Sequence, residues 1–589
     1  MRFKSKESEG FQVFAVSGIN TVSFGIKASA SAQKGLLGFG VERADPTEDE
    51  KYVMPGFKVF PSVIPHPDEK THVTTMEHPV QSFVWDDFTA KPDRDYEYTF
   101  HPIKGKPKNL DRSTKPVTIK IQTEPLFSKE ESDVFFNRGV ASSQAYARQF
   151  QNKRPDQLPP AEAEKARMWL RRDLLTAILR FIDETPKGDA LRCCFYEFRY
   201  APVLDALKKA IDRGVDVKII FDAKDNGTAD AAAFPREDNF KFIKDAKIPD
   251  DNLIRREARK SNIAHNKFMV RLEGKKQKPT EVWTGSTNIS EGGIHGQTNV
   301  GHWLRNGDVA ELFLKYWTLL SDDPGGRVGE DRSSVMKKNK AFQSAVDDLN
   351  EIPSSLETVA KGVTPVFSPR SALDILNLYF ELVGSAAANG CITLAFGVGK
   401  ELKGRLTTNT AESAIVFLLL EKEDKPNPKS KDPFLALNAK NNVYSAWGSF
   451  LHDPLYQWTQ ETNASLLKLN THVSYIHSKF LLRDPLGKDP LVVTGSANFS
   501  DPSTTGNDEN MLIIRGDQRV ADIYFTEFNR LFNHYYFRAV HESTTKAGKG
   551  DDGASLFLKE TAEEWTPKYK PGLLRRKRLD LYTGMTGFA

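Results

Sequence analysis

Two stretches decide the reading of this chain. One is Ile263-Ala-His265-Asn-Lys267-Phe-Met-Val270, followed by Val282-Trp-Thr-Gly285-Ser286-Thr-Asn288-Ile-Ser290. The other is Tyr475-Ile-His477-Ser-Lys479-Phe-Leu-Leu482, followed by Val492-Val-Thr-Gly495-Ser496-Ala-Asn498-Phe-Ser500. The two histidines lie 212 positions apart, and Asn288 and Asn498 lie 210 apart. A single His-x-Lys carries little information, because exposed His and Lys often sit two apart on a strand. Two copies, each followed at nearly the same distance by Gly-Ser-x-Asn-x-Ser, mark an internal duplication of chemistry.

Strand alternation puts His265 and Lys267 on one face, and likewise His477 and Lys479. A tetrahedral phosphodiester needs cations on its non-bridging oxygens, and a lysine ammonium is a compact charge for that task. Ser286, Ser496, Asn288 and Asn498 are expected to add neutral hydrogen bonds to the same oxygens, and the glycines allow close backbone approach. Two histidines facing each other can divide the labour. One attacks phosphorus, while the other protonates the leaving alkoxide and then activates water. Histidine titrates near neutrality, so neither role calls for a metal or a cofactor.

Working outward, Ala161–Ile182 carries apolar residues at helical spacing. A strand-like Ala190–Phe198, a helix over Pro202–Ile211 and the β-branched run ending at Asp222 then form a βαβ unit, which implies a mixed sheet covered on both faces. The pattern recurs as a helix over Ala372–Val383 and strands at Cys391–Phe396 and Ala414–Leu420, the last ending in acidic residues. The polar stretch Asp322–Ala341 reads as the connection. Residues 1 to about 123 show short alternating runs at Phe11–Val16, Thr21–Ile26, Tyr52–Phe60, Val80–Trp85, Tyr96–Phe100 and Val117–Ile121, and predict a small β-sandwich. The expected organisation is a β-rich domain over 1–125, two α/β/α halves over 126–335 and 336–545 related by a pseudo-twofold axis, and a tail over 546–589. In that tail, Arg575-Arg-Lys-Arg578 reads as a solvated basic cluster.

The chain has 589 residues, 39% of them hydrophobic and 27% charged, with a formal net charge of +4, which describes a multidomain globular protein without a strong electrostatic signature. Cys193, Cys194 and Cys391 form no disulfide framework and no metal-ligand spacing, and read as buried small hydrophobes. No run of about 18 apolar residues is present, so a membrane span is not expected. A cytoplasmic location is expected, and export without a classical signal would look the same.

The quoted residues resemble the phospholipase D superfamily, whose signature is His-x-Lys-x-x-x-x-Asp followed by Gly-Ser-x-Asn. The second copy fits it throughout, with Asp484 at the acidic position and Asn507-Asp-Glu509-Asn matching a downstream acidic motif. The first copy departs from it: Leu272 stands where Asp484 stands in the second, and Gly301 reads as the place of the missing downstream acid. Glu273 and Glu291 are the nearest acids that could replace it. The resemblance covers roughly residues 165–540. It implies a phosphohistidine mechanism with His265 as nucleophile and His477 as general acid/base, an assignment that reverses if Glu509 orients His477. It also implies phosphate contacts from Lys267, Lys479, Asn288, Asn498, Ser286 and Ser496, and a structural role for Asp484.

Three functions compete. The first is a phosphodiesterase acting on phospholipids by hydrolysis or head-group transfer, with peripheral membrane contact through N-terminal aromatics. The second is a nuclease or nucleic-acid-end phosphodiesterase acting on DNA or RNA at the same site. The third is an inactive phosphate-binding scaffold. The duplication completes the site within one chain, so a monomer suffices. His295, His302, His452 and His472 flank the motifs and read as structural or surface histidines.

Overall fold

The computed structural model describes residues 1–589 except 69–70, 140–145, 147–148, 152, 154, 226–233, 411, 427–433, 449–474 and 547–556, together with the side chains of 537–546. His452 and His472 lie outside the described residues.

The chain folds as two duplicated α/β halves preceded by antiparallel sheets. The first half is built on a seven-stranded mixed sheet. Its strands run, in spatial order, Ser132–Phe136, Val300–Leu304, Lys278–Gly285, Lys267–Glu273, Ala190–Phe195, Asp216–Asp222 and Leu253–Arg256. The second sheet repeats that order with Gly362–Ser368, Glu509–Arg515, Leu491–Gly495, Phe480–Arg483, Asn389–Leu394, Ile415–Leu420 and Val443–Trp447. In both, the last three strands run parallel and the others pair antiparallel. The parallel strands are the β-branched apolar runs of the sequence, and Ile415–Leu420 is buried along its whole length, as a doubly covered strand must be.

Helices follow the last strand of each half: Gly307–Ser321 in the first and the long Gln518–Lys546 in the second. They lie at the centre of the molecule. Phe313 and Tyr316 from one, Phe525, Phe528 and Phe532 from the other, and Phe136, Phe268, Phe367 and Phe480 from the sheets belong to one continuous apolar cluster. The halves therefore share a core, which fixes their relative placement by packing and not by a tether.

Several sequence expectations change in detail. The helix expected over Ala161–Ile182 is two helices, Pro160–Arg171 and Leu174–Asp183. Arg172 between them adopts a left-handed φ of 48°, and its guanidinium donates to the Phe136 carbonyl at 3.0 Å and pairs with Glu527 at 3.0 Å. The connection expected over Asp322–Ala341 is only partly irregular, because a helix occupies Arg332–Asp347, capped by the Asp331 side chain.

The N-terminal region forms two antiparallel sheets. One holds Arg2–Lys4, Phe11–Ser17, Val22–Ala28 and Val84–Asp87; the other holds Glu50–Val53, Leu36–Asp45, Asp95–Lys106, Asn109–Asp111 and Val117–Gln122. The ten-residue strand Leu36–Asp45 went unread because its glycines interrupt the alternation, and Tyr52–Phe60 is strand only at its start. The reading of the C-terminal segment as a solvated tail is corrected. Leu574–Thr583 is a helix, and Leu579 joins Trp565 and Tyr569 in the core of the N-terminal sheets. Its basic residues are engaged: Arg578 donates to Asn533 at 2.6 Å, Lys577 to Asn442 at 2.8 Å, and Arg576 pairs with Asp580 at 2.7 Å.

Candidate active site

His265 and His477 stand at the ends of equivalent strands and face each other across the pseudo-twofold axis. Their ring centroids are 6.5 Å apart and the ring planes are inclined by 73°. Both are nearly enclosed, at 5% and 6% exposure. Lys267 and Lys479 are buried beside them, each ammonium donating to the carbonyl of its own motif histidine.

The loop ahead of each histidine is tied down by a carboxylate at the end of a neighbouring parallel strand. Asp222 accepts from the Ala264 amide at 3.3 Å, and Glu421 accepts from the Tyr475 and Ile476 amides at 3.0 and 2.8 Å. Burial raises the Asp222 carboxyl to about 6. The sequence announced this pair only as acids closing two apolar strands.

What orients each histidine comes from the opposite half. Glu509, in the second half, holds His265 Nδ1 with both oxygens at 3.0 and 2.9 Å. Asn299, in the first half, holds His477 Nδ1 through Oδ1 at 2.9 Å. The Asn299 amide is fixed, because its nitrogen donates to the Gly293 carbonyl at 2.8 Å and its oxygen also accepts from Ser286 Oγ at 2.9 Å. This corrects the place of the missing acid. Ser286 N bonds the Val300 carbonyl as Ser496 N bonds that of Asn510, so Asn299, not Gly301, is the counterpart of Glu509. Gly301 instead lies under Trp283, where a Cβ would meet the indole at 2.2 Å. Glu273 is exposed and Glu291 sits 4.0 Å from Arg167, so neither replaces the acid.

The middle residues of the two His-x-Lys triplets lock the halves together. Asn266 accepts from Asn510 at 2.8 Å, and the Ser478 hydroxyl lies 3.0 Å from that of Thr298. Asp508, just ahead of Glu509, pairs at 2.9 Å with the buried Arg256 and Arg259, which precede His265. The alignment of Glu509 with His265 therefore rests on contacts at both flanks.

The serines sit behind the histidines. Ser286 accepts from Val300 N at 3.1 Å while donating to Asn299, and Ser496 accepts from Asn510 N at 3.0 Å. Their hydroxyls position the residues that hold the two histidines. Asn288 is buried, and its nitrogen donates to Glu197 at 2.6 Å; Asn498 is half-buried. Glu197 was not singled out in the sequence.

Asp484 accepts from three backbone amides, those of Ala387, Ala388 and Asn389, at 2.8, 2.6 and 3.0 Å, and has a φ of 45°. It anchors the start of the strand Asn389–Leu394. Its counterpart Leu272 is buried in the apolar core, where the first-half strand runs on to Glu273. Asp484→Ala should destabilise the protein by about 3 kcal/mol by orphaning those amides, whereas Asp484→Asn, which tolerates the left-handed backbone, should cost less. Chemical denaturation of the two variants checks this ordering.

Electrostatically the site awaits an anion. Burial and the two ammonium groups push both histidines well below their ordinary value. Burial lowers Lys267 to about 8 and Lys479 further, the latter aided by repulsion from Lys267. Burial raises Glu509 to about 8 against the pull of Lys267 and Lys479. Among the described residues, no group of three or more His, Cys, Asp or Glu could hold a metal ion, and no helix is long and apolar enough to cross a membrane. His295 and His302 are buried away from this centre, against Tyr200 at 2.9 Å and Tyr524 at 3.4 Å.

Two histidines and two lysines are gathered by the duplicated α/β fold at one centre shared between the halves. A family model described as cardiolipin synthase, phospholipase-D-like domain, matches residues 178–318 and 427–532. Each half thus carries a segment similar to the phospholipase-D-like domain. No curated protein sequence matches it. Among solved structures it is similar to phosphatidylserine synthase of Haemophilus influenzae, at 12% identity over 64% of this chain and 92% of that one, with a TM-score of 0.39. It is also similar to yeast tyrosyl-DNA phosphodiesterase, at 13% identity over 58% and 87%, TM-score 0.31. Polyphosphate kinase of Porphyromonas gingivalis matches at 12% over 58% of this chain, TM-score 0.36, and the chain spans 46% of that protein.

Proposed function

We propose that the protein is a phosphodiesterase that cleaves phospholipids through a phosphohistidine on His265. The observation that carries the chemistry is the unequal support of the two histidines: a carboxylate behind His265 and an amide behind His477. With Nδ1–H directed at Glu509, His265 presents the Nε2 lone pair to phosphorus, and the carboxylate stabilises the imidazole as it gains positive character. His477 takes up a proton at Nε2 from solvent when the negative phosphodiester binds beside it, and because an amide stabilises an imidazolium less than a carboxylate does, it gives that proton up readily. Nε2 of His265 then bonds phosphorus, the bond to the leaving oxygen breaks, and His477 donates to that oxygen. His477 next takes a proton from water, whose oxygen displaces His265 Nε2. Lys267, Lys479, Asn288 and Asn498 hold the non-bridging oxygens. The description of the matching family model supports lipid as the substrate class.

The test is incubation of the purified protein, with EDTA present, against mixed phospholipid vesicles and against single- and double-stranded DNA and RNA. Release of free head group supports the reading. Cleavage of nucleic acid without lipid turnover replaces it with a nuclease at the same site.

A pH profile follows from the site. Below about 8 the His265–Glu509 pair carries an extra proton, because burial keeps Glu509 protonated, and Nε2 is not free to attack. Above about 8 Lys267 becomes neutral and the hold on the anion weakens. The kcat/KM of the wild-type protein should therefore follow a narrow bell centred near pH 8. Glu509→Gln should abolish the acidic limb and lower kcat by about 10²-fold. A flat profile between pH 6 and 9 would contradict both assignments.

A further inference from the structure

His477 is gripped from the opposite half by two consecutive residues. Asn299 holds the ring, with Oδ1 2.9 Å from Nδ1. Thr298 holds the backbone that carries the ring. The His477 and Ser478 amides donate to Thr298 Oγ1 at 3.1 and 3.3 Å, and the Thr298 amide donates to the Tyr475 carbonyl at 2.8 Å. Thr298 and Ser478 are both buried, and their hydroxyls lie 3.0 Å apart. Two amides fill both lone pairs of the Thr298 oxygen, so its proton points to Ser478 Oγ. Gly139 packs against the Thr298 methyl, where a Cβ would approach to 2.8 Å, and this closes the side on which the methyl sits.

The matching grip on His265 is built differently. The Asp508 amide donates to the Ile263 carbonyl at 3.0 Å, as that of Thr298 does to Tyr475. Asp508 and Thr298 are therefore counterparts, each directly ahead of the residue that holds the opposite histidine. The Asp508 carboxylate is occupied by Arg256 and Arg259, both at 2.9 Å. His265 thus has two carboxylates of the second half behind it, and His477 has two neutral side chains of the first. A hydroxyl and an amide fix the geometry of His477 without the charge that would hold a proton on its ring.

We propose that Thr298 is a positioning residue for the general acid: its hydroxyl holds the His477 backbone in register with Asn299, and so aims Nε2 at the leaving oxygen in the first step and at water in the second. The proposal rests on reading His477 as that acid and base, so a variant of His477 is measured beside it. A positioning role of this kind has a chemical signature. Departure of nitrophenolate needs no general acid, whereas departure of an alkoxide and attack by water both need the histidine in place.

Thr298→Val keeps the shape and the β-branch and removes the hydroxyl, whereas Thr298→Ser keeps the hydroxyl. With bis-para-nitrophenyl phosphate, Thr298→Val should release the first nitrophenol within about twofold of the wild-type rate. Its steady turnover of that diester, and its turnover of phospholipid, should fall about 10-fold, the worth of one hydrogen bond expressed as a rate. Thr298→Ser should restore both. Ser478→Ala removes the acceptor of the Thr298 proton and leaves both amides paired; it should show the same selective loss at about threefold, and carries the test if Thr298→Val does not fold. Kinetics unchanged in both variants overturn the proposal. An equal loss of first release and turnover also overturns it, since that marks a merely structural defect. If His477→Ala shows the selective loss and the Thr298 and Ser478 variants do not, the proposal falls alone. If His477→Ala lacks it, or wild type turns over neither diester, the reading of His477 falls and the proposal with it.

Discussion

His477→Ala protein given a diester with an activated leaving group, such as bis-para-nitrophenyl phosphate, will release one equivalent of nitrophenol per site and then stall with phosphorus on His265. The first step needs a general acid only when the leaving alkoxide is strongly basic, and nitrophenolate is not. The second step needs a base for water, and the histidine that faces His265 across the site has been removed. With an ordinary alkyl diester the same variant should lose about 10³-fold in turnover, the usual worth of general acid–base help. His265→Ala should give neither burst nor adduct, and should fall by about 10⁴-fold or more, as expected when the attacking atom itself is lost. Intact-protein mass measurement during the burst reads the outcome. An adduct on His477 in the His265→Ala protein would reverse the roles that Glu509 and Asn299 assign.

Arg2→Ala should lower the stability of the whole protein by about 3–5 kcal/mol, the range for removing one member of a buried ion pair. Arg2 is fully buried, and its guanidinium pairs with the equally buried Asp522 at 2.8 Å. It also donates to the carbonyls of Pro485, Leu486, Gly487 and Thr586 at 2.7–3.2 Å. These partners belong to the second half and to the C-terminal segment, so one side chain fastens three parts of the molecule. Its loss leaves buried Asp522 with the N-terminal ammonium, 3.4 Å away, as its remaining cation, and four carbonyls without that donor. Arg2→Ala/Asp522→Asn should recover part of the loss, since the under-compensated charge goes with it. Denaturation midpoints of the single and double variants check this. Equal stability of Arg2→Ala and wild type would show that the carbonyl cluster is satisfied by water.

The grouping of the motif residues was more legible than their wiring. The repeated motifs named both histidines, both lysines and both asparagines, because the spacing of a duplication survives even where the sequence between diverges. Glu509 was also named, but its target was not. A residue that acts across the pseudo-twofold axis leaves no local spacing to its partner, and His265 lies 244 positions away. Asn299 was missed because an acid was sought at Gly301, two residues past the true counterpart of Glu509. The 210-residue interval that relates Asn288 to Asn498 also relates Asn299 to Glu509, and would have found it. The serines were read as phosphate ligands because sequence gives residue type and not the direction in which a hydroxyl points. In the β domain the sheets followed from alternation, but the burial of Arg2 had no signal at all. A basic residue near a chain end looks the same whether it is solvated or sealed.

The exchange of orienting residues between halves bears on how such a repeat ages. Each copy keeps its own histidine but lends the other copy the group that tunes it. A substitution in one copy therefore leaves that copy's histidine untouched and alters its neighbour's. By sequence, the first repeat looks eroded: Asn299 stands where its sister keeps Glu509. Its histidine nevertheless has the carboxylate, and the intact-looking repeat has the histidine served by the amide. What reads as decay in one repeat is, in the folded molecule, a difference in the support given to the other repeat's histidine: an amide where its sister has a carboxylate.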